Sequence, residues 1–184
     1  MIYVVRHGEV MDISRLYGRK AIELSPNGIE TSRRVAVQLK DKGLERIVSS
    51  PSKRCVYMAE KIAKSTGSDL IVDYRVAAKN YGEWEGISKD QIINIDQGDI
   101  YIKWKMHAKG GESFLHVAER VAPFLEEIAD KGAAIVTHSS VSKVIYSLVF
   151  NDINGINRSF PYGDITEFDI DKGMINKSLE VLRN

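Results

Sequence analysis

A chain of 184 residues with 43% apolar and 28% charged residues is most simply one soluble domain, with apolar content enough for a two-faced core. The formal net charge of +1 gives no long-range pull towards nucleic acid or a membrane surface, so any anion site must be a local cluster of cations. Cys55 is the one cysteine, which excludes an internal disulfide and suits a reducing compartment, and no apolar run approaches the ~20 residues that span a bilayer.

Met1 leads at once into Ile2-Tyr3-Val4-Val5, so no leader is expected and the cytoplasm is the expected location. That apolar, β-branched and aromatic run reads as a buried strand. It stops at Arg6-His7-Gly8-Glu9, where a central strand would hand over to a loop. In open α/β sheets ligands bind at the carboxyl ends of strands. Arg6 offers a planar fork of donors for phosphate or carboxylate. His7 can serve as nucleophile, base or metal ligand, and Gly8 lets backbone approach a ligand closely.

Met11 to Ala21 lacks periodicity and reads as a loop over the strand end. Ser25 is placed to cap a helix with Pro26 in its first turn, Ile29, Val35, Ala36 and Leu39 along one face, and Gly43 at its close. Leu44 to Ser50 predicts a second strand. Ser50 or Ser52 would cap the next helix, which carries Tyr57, Ala59, Ile62 and Ala63 and ends at Gly67. Leu70 to Val72 is a third strand. From Arg75 to Gly111 the pattern is irregular, with one helix expected from Lys89 to about Gln97. Loops this long are often functional covers. Glu112 to Asp130 predicts an amphipathic helix, Ala133 to Thr137 a fourth strand with the continuous apolar character of a parallel sheet, and Val141 to Phe150 a buried helix. Asp164 to Ile170 and Ile175 to Leu182 alternate around Asp171-Lys172-Gly173, which predicts a hairpin. Alternating strands and helices imply an α/β sheet with helices on both faces.

Arg-His-Gly-Glu after an N-terminal apolar strand resembles the signature of the histidine phosphatase superfamily, also called phosphoglycerate mutase-like. Further stretches match in order: Leu24-Ser25-Pro26-Asn27-Gly28, Ser49-Ser50-Pro51-Ser52-Lys53-Arg54, Tyr81-Gly82-Glu83-Trp84-Glu85-Gly86, Gly110-Gly111-Glu112-Ser113 and Val136-Thr137-His138. The resemblance runs to about residue 150. It implies a single domain over 1–184 with a mostly parallel central sheet, the predicted hairpin lying at its edge. The length is nearest the small α-ribazole phosphatase and broad-specificity phosphatase branches. By resemblance His7 is the nucleophile and becomes phosphohistidine, the second catalytic histidine is His138, and Arg6, Arg54 and His138 surround the phosphoryl oxygens. No metal and no other cofactor is implied.

Arg54 stands in the first turn of a predicted helix, where a cation opposes the helix dipole and a bound anion would account for it. His138 ends an apolar strand on the same sheet edge as His7. His107 and His116 have no motif around them and read as surface or helix-face residues, and Cys55 reads as packed. Glu9 suits loop structure as well as chemistry, Trp84 core as well as pocket wall. Gly110-Gly111 frees a loop, with Ser113 capping the helix beyond.

The chain also departs from the family. The glutamate that usually protonates the leaving group stands four residues before Gly82, and that residue is Ala78. The asparagine usual seven residues after Arg6 is Ile13, and Ser139 follows the second histidine where the acid phosphatase branch has Asp. Glu83 and Glu85 are candidates to replace the acid. Ala78 is equally compatible with a substitution introduced to trap a ligand, or with a leaving group that needs little protonation, such as phosphohistidine on a protein. The expected function is a phosphatase for small phosphomonoesters, the partner a small phosphorylated metabolite rather than nucleic acid or membrane, with a homodimer allowed. The alternatives are a phosphoglycerate mutase, a phosphohistidine-protein phosphatase and a phosphate-binding pseudoenzyme.

Overall fold

Strands β1 (Ile2–Arg6), β2 (Arg46–Ser49), β3 (Asp69–Val72), β4 (Ala133–Thr137) and β5 (Ile165–Phe168) form one sheet in the order β3-β2-β4-β1-β5. The computed structural model describes residues 1–93 and 99–183. Pairings β1–β4, β4–β2 and β2–β3 are parallel, and β5 runs antiparallel to β1 at the edge. Alternation along each strand splits the core in two. Ile2, Val4 and Ile135 face helices α5 (Phe114–Ile128), α6 (Ser139–Phe150) and α7 (Lys172–Arg183). Tyr3, Val5, Ala134 and Val136 face α1 (Pro26–Leu39) and α2 (Lys53–Thr66). The expected α/β fold with helices on both faces is therefore present, and β1 and β4 read as unbroken apolar runs because both of their faces are covered.

The C-terminal segment differs from the predicted hairpin. β5 is a strand, but Ile175 to Leu182 belongs to helix α7. Its buried residues, Ile175, Ser178, Leu179 and Leu182, recur at 3.6-residue spacing rather than at 2. Asp171-Lys172-Gly173, read as a turn, is a helix start instead: the Gly173 amide donates to Asp171 Oδ1 at 2.8 Å. Helix α1 ends at Leu39 with Lys40 as its cap, ahead of Gly43, which sits in the following turn. Gly67 closes α2 in the left-handed conformation as expected, whereas Ser52 caps its start without a side-chain hydrogen bond.

In the irregular stretch, α3 spans Lys89–Ile93, and the remainder of the expected helix towards Gln97 lies outside the described residues. An unforeseen helix, α4 (Ile100–Lys105), follows. It is anchored by Trp104, 1% exposed, whose indole donates to the Ile153 carbonyl at 2.8 Å.

Candidate active site

Sheet order brings the two histidines together. β1 and β4 are neighbours, with Arg6 opposite Thr137, so the next residue of each strand, His7 and His138, leaves the sheet side by side. The His7 amide donates to the Thr137 carbonyl at 3.0 Å, and the two rings stand edge to face with centroids 5.0 Å apart. β2 flanks β4 on its other side, and the Ser50 amide donates to Val136 at 2.9 Å, which sets Ser50 beside His138. The first turn of α2 then delivers Arg54.

Hydrogen-bond partners fix both tautomers. His7 Nδ1 lies 2.7 Å from the Gly8 carbonyl and must be the N–H that donates to it. Nε2 therefore carries the lone pair, and Arg54 Nε donates towards it at 3.4 Å. Burial, then Arg54, lowers the His7 pKa to about 3, so the ring is neutral at physiological pH. His138 has the opposite tautomer. Nδ1 accepts from Arg54 Nη2 at 3.3 Å, and Nε2–H donates to Ser50 Oγ at 2.8 Å. Burial first, then His7 and Arg54, hold it well below the usual imidazole value.

Arg54 is buried, and the carbonyls of Gly18 and Lys20 accept from its guanidinium at 2.6 and 3.2 Å. These carbonyls come from the loop expected over the strand end. The Arg6 guanidinium lies 3.8 Å over the Tyr162 ring and donates to the Phe160 carbonyl, while its buried Nε has no hydrogen-bond partner. A buried N–H without an acceptor, next to a second guanidinium and two neutral imidazoles, is a ready seat for an anion.

These four side chains open on a cavity of about 330 Å³, also bordered by Tyr162, Ala78, Ser139 and Lys89. No Asp or Glu is among the described residues that line it. Glu83 is exposed, with Lys109 as its ion-pair partner at 4.0 Å. Glu85 points back at the chain, accepting from the Arg19 amide at 2.8 Å. Neither candidate acid borders the cavity, while Ala78 does. Ile13 is 53% exposed. Glu9 serves the loop: Ser25 Oγ donates to its carboxylate at 2.7 Å while accepting from the Gly28 amide at 3.0 Å.

Gly8 is needed for a reason other than ligand approach. A Cβ there would stand 2.3 Å from the Gly28 carbonyl oxygen, so it is backbone packing against α1 that excludes a side chain. Cys55 is wholly buried, and burial pushes its thiol up to about 11. His107 and His116 are exposed neighbours, with centroids 5.5 Å apart, and His116 completes a capping box with Ser113. Trp84 is half-buried and does not border the cavity. Sequence reasoning missed Tyr162 and Lys89, since neither falls within a motif stretch.

A sequence model of the histidine phosphatase superfamily (branch 1) matches residues 2–179. Phosphoserine phosphatase 1 of Hydrogenobacter thermophilus is 28% identical over 156 residues, 79% of this chain and 74% of that protein. A probable phosphoglycerate mutase, GpmB of Escherichia coli, is 29% identical over 140 residues, 70% of this chain and 63% of that protein. The solved structure of Bacillus stearothermophilus YhfR superposes with a TM-score of 0.75 at 26% identity, covering 91% of each chain. Two histidines on adjacent strand ends, two arginines beside them and a match along nearly the whole chain have one reading: this chain belongs to the histidine phosphatase superfamily.

Proposed function

We propose that this chain is a phosphomonoesterase that works through a phosphohistidine on His7. The observation that carries the reading is the neutral His7 ring, its Nδ1–H tied to Gly8 and its Nε2 lone pair facing Arg54. A phosphomonoester dianion settles against Arg6 and Arg54, which replace its water of hydration with fixed donors. The lone pair on His7 Nε2 attacks phosphorus as the bond to the leaving oxygen breaks, and that oxygen departs as an anion that takes its proton from solvent water. Water then attacks the phosphohistidine, releasing phosphate and restoring the neutral ring. The arriving dianion favours a proton on His138, whose low affinity for one in the free site comes from burial and Arg54.

The absence of a carboxylate among the described lining residues favours leaving groups that need little protonation, a phosphohistidine on a protein included. The relative named as a phosphoserine phosphatase supports a small phosphorylated metabolite as the substrate class. The test is turnover of an activated aryl phosphate with acid-quench trapping of the phosphoenzyme. His7→Ala should lose both the turnover and the acid-labile phosphoprotein; full activity in that variant would end the phosphohistidine reading, and no release by the wild type would favour a binding-only protein.

A further inference from the structure

Arg6 has to stay extended beside the phosphoryl position while the site is empty, and an arginine side chain is long and flexible. A carboxylate would hold it, but would also compete with phosphate for its donors. Among the described residues no carboxylate pairs with Arg6. Asp164 acts on it only from farther off, and its own carboxylate accepts from the Thr166 hydroxyl at 2.7 Å. What holds Arg6 is a ring: the Tyr162 centroid lies 3.8 Å from the guanidinium carbon. Stacking uses the flat face of a guanidinium and leaves the N–H fork in its plane free for an anion. The buried Nε of Arg6 accordingly has no acceptor, while the Phe160 carbonyl accepts from Nη1.

The same ring bears on the nucleophile, its centroid 5.6 Å from that of His7 with the planes tilted by 49°. Backbone reinforces it. The Gly163 amide donates to the carbonyls of Arg6 and His7 at 3.1 and 3.3 Å, and the Arg6 amide donates to Asp164 at 3.0 Å. Gly163 has a φ of +74°, and a Cβ there would stand 2.2 Å from Thr31 Cγ2, so only glycine fits this turn. Residues 160–164, the approach to β5, thus form a saddle under the end of β1. The sheet order permits it, since β5 pairs with β1 on the side away from β4. We infer that Tyr162 is a positioning residue, whose ring holds the Arg6 guanidinium ready for the phosphoryl group without consuming its donors; its part in turnover rests on the phosphomonoesterase reading above. A charge holder fixed before substrate arrives costs no reorganisation at the moment of reaction.

The ring rather than the hydroxyl carries this role, so two variants separate them. The readouts are calorimetric titration with inorganic phosphate and turnover of an aryl phosphate. Tyr162→Phe should keep phosphate affinity and kcat/KM within about threefold of the wild type. Tyr162→Leu should lower both by about ten- to thirtyfold, the size of a desolvated cation–π contact. Tyr162→Met is a second non-aromatic variant should Tyr162→Leu fail to fold. A double-mutant cycle separates loss through Arg6 from general loosening: on an Arg6→Gln background, Tyr162→Leu should change phosphate affinity by less than about threefold. An equal loss on both backgrounds overturns the inference, as does a Tyr162→Phe variant as poor as Tyr162→Leu. Coupled phosphate binding without any aryl phosphate turnover would overturn the phosphatase reading and leave the Arg6 clamp standing, whereas a wild type that binds no phosphate overturns both.

Discussion

His7 and His138 make acid sensitivity a property of the site itself. The fold holds His7 at a pKa of about 3 through burial and Arg54, and holds His138 well below its ordinary value by burial and its neighbours. An unfolded histidine titrates near ~6.5. Between those values the unfolded chain binds protons that the folded chain refuses, so stability is full above pH ~6.5 and falls as pH drops towards ~3. Thermal unfolding midpoints at pH 7.5 and pH 5 should differ, and His7→Asn should shrink the difference; an unchanged gap would remove His7 from the account. Ala78 carries a second prediction. Ala78→Glu should raise turnover of an alkyl phosphate with an uncharged end by about 10²–10⁴-fold, and far less for an aryl phosphate, whose leaving group needs no proton. Equal or lower alkyl phosphate turnover would reject the missing-acid account. Arg6, His7, Arg54 and His138 were legible because each lies within a short motif. Tyr162 and Lys89 were not, because distant segments bring them to the cavity.

At the scale of elements, period was the deciding signal, and it misled where two periods fitted. Ile175 to Leu182 is short enough to satisfy alternation and helical spacing together. Asp171 serves a turn or a helix cap equally well, and only burial of Ile175, Leu179 and Leu182 against α5 and α6 settles the choice. Ile175→Ala should therefore cost about 2–5 kcal/mol, the range for emptying a buried aliphatic site, as measured by denaturant unfolding. A loss of only a few tenths would mean that α7 is not part of the core. β1 and β4 were legible with their boundaries nearly intact, since coverage on both faces leaves an apolar run. Helix α4 was hidden because its six residues, Ile100 to Lys105, do not fill two turns and so show no helical period.

For the whole molecule, a formal charge of +1 is compatible with a cationic cavity because lysines and arginines border that cavity while no described Asp or Glu does. Among the described residues no group of three His, Cys, Asp or Glu side chains is placed to hold a metal ion. Aryl phosphate turnover should accordingly survive EDTA; complete loss restored by an added divalent ion would show the charge holders to be misassigned. The sheet order has one more consequence. Strand β1, which leads into His7, finds its neighbours in β4 and β5: Ile2 pairs with Ala133 and with Phe168. Closing loops that long is entropically slow, and such distant pairings place a protein among the slower folders. As the chain is synthesised, β1 must wait unpaired while most of the polypeptide is made, an apolar strand with both edges open and prone to meet another chain. His7 and His138 therefore stand side by side only once β4 has taken its place between β1 and β2.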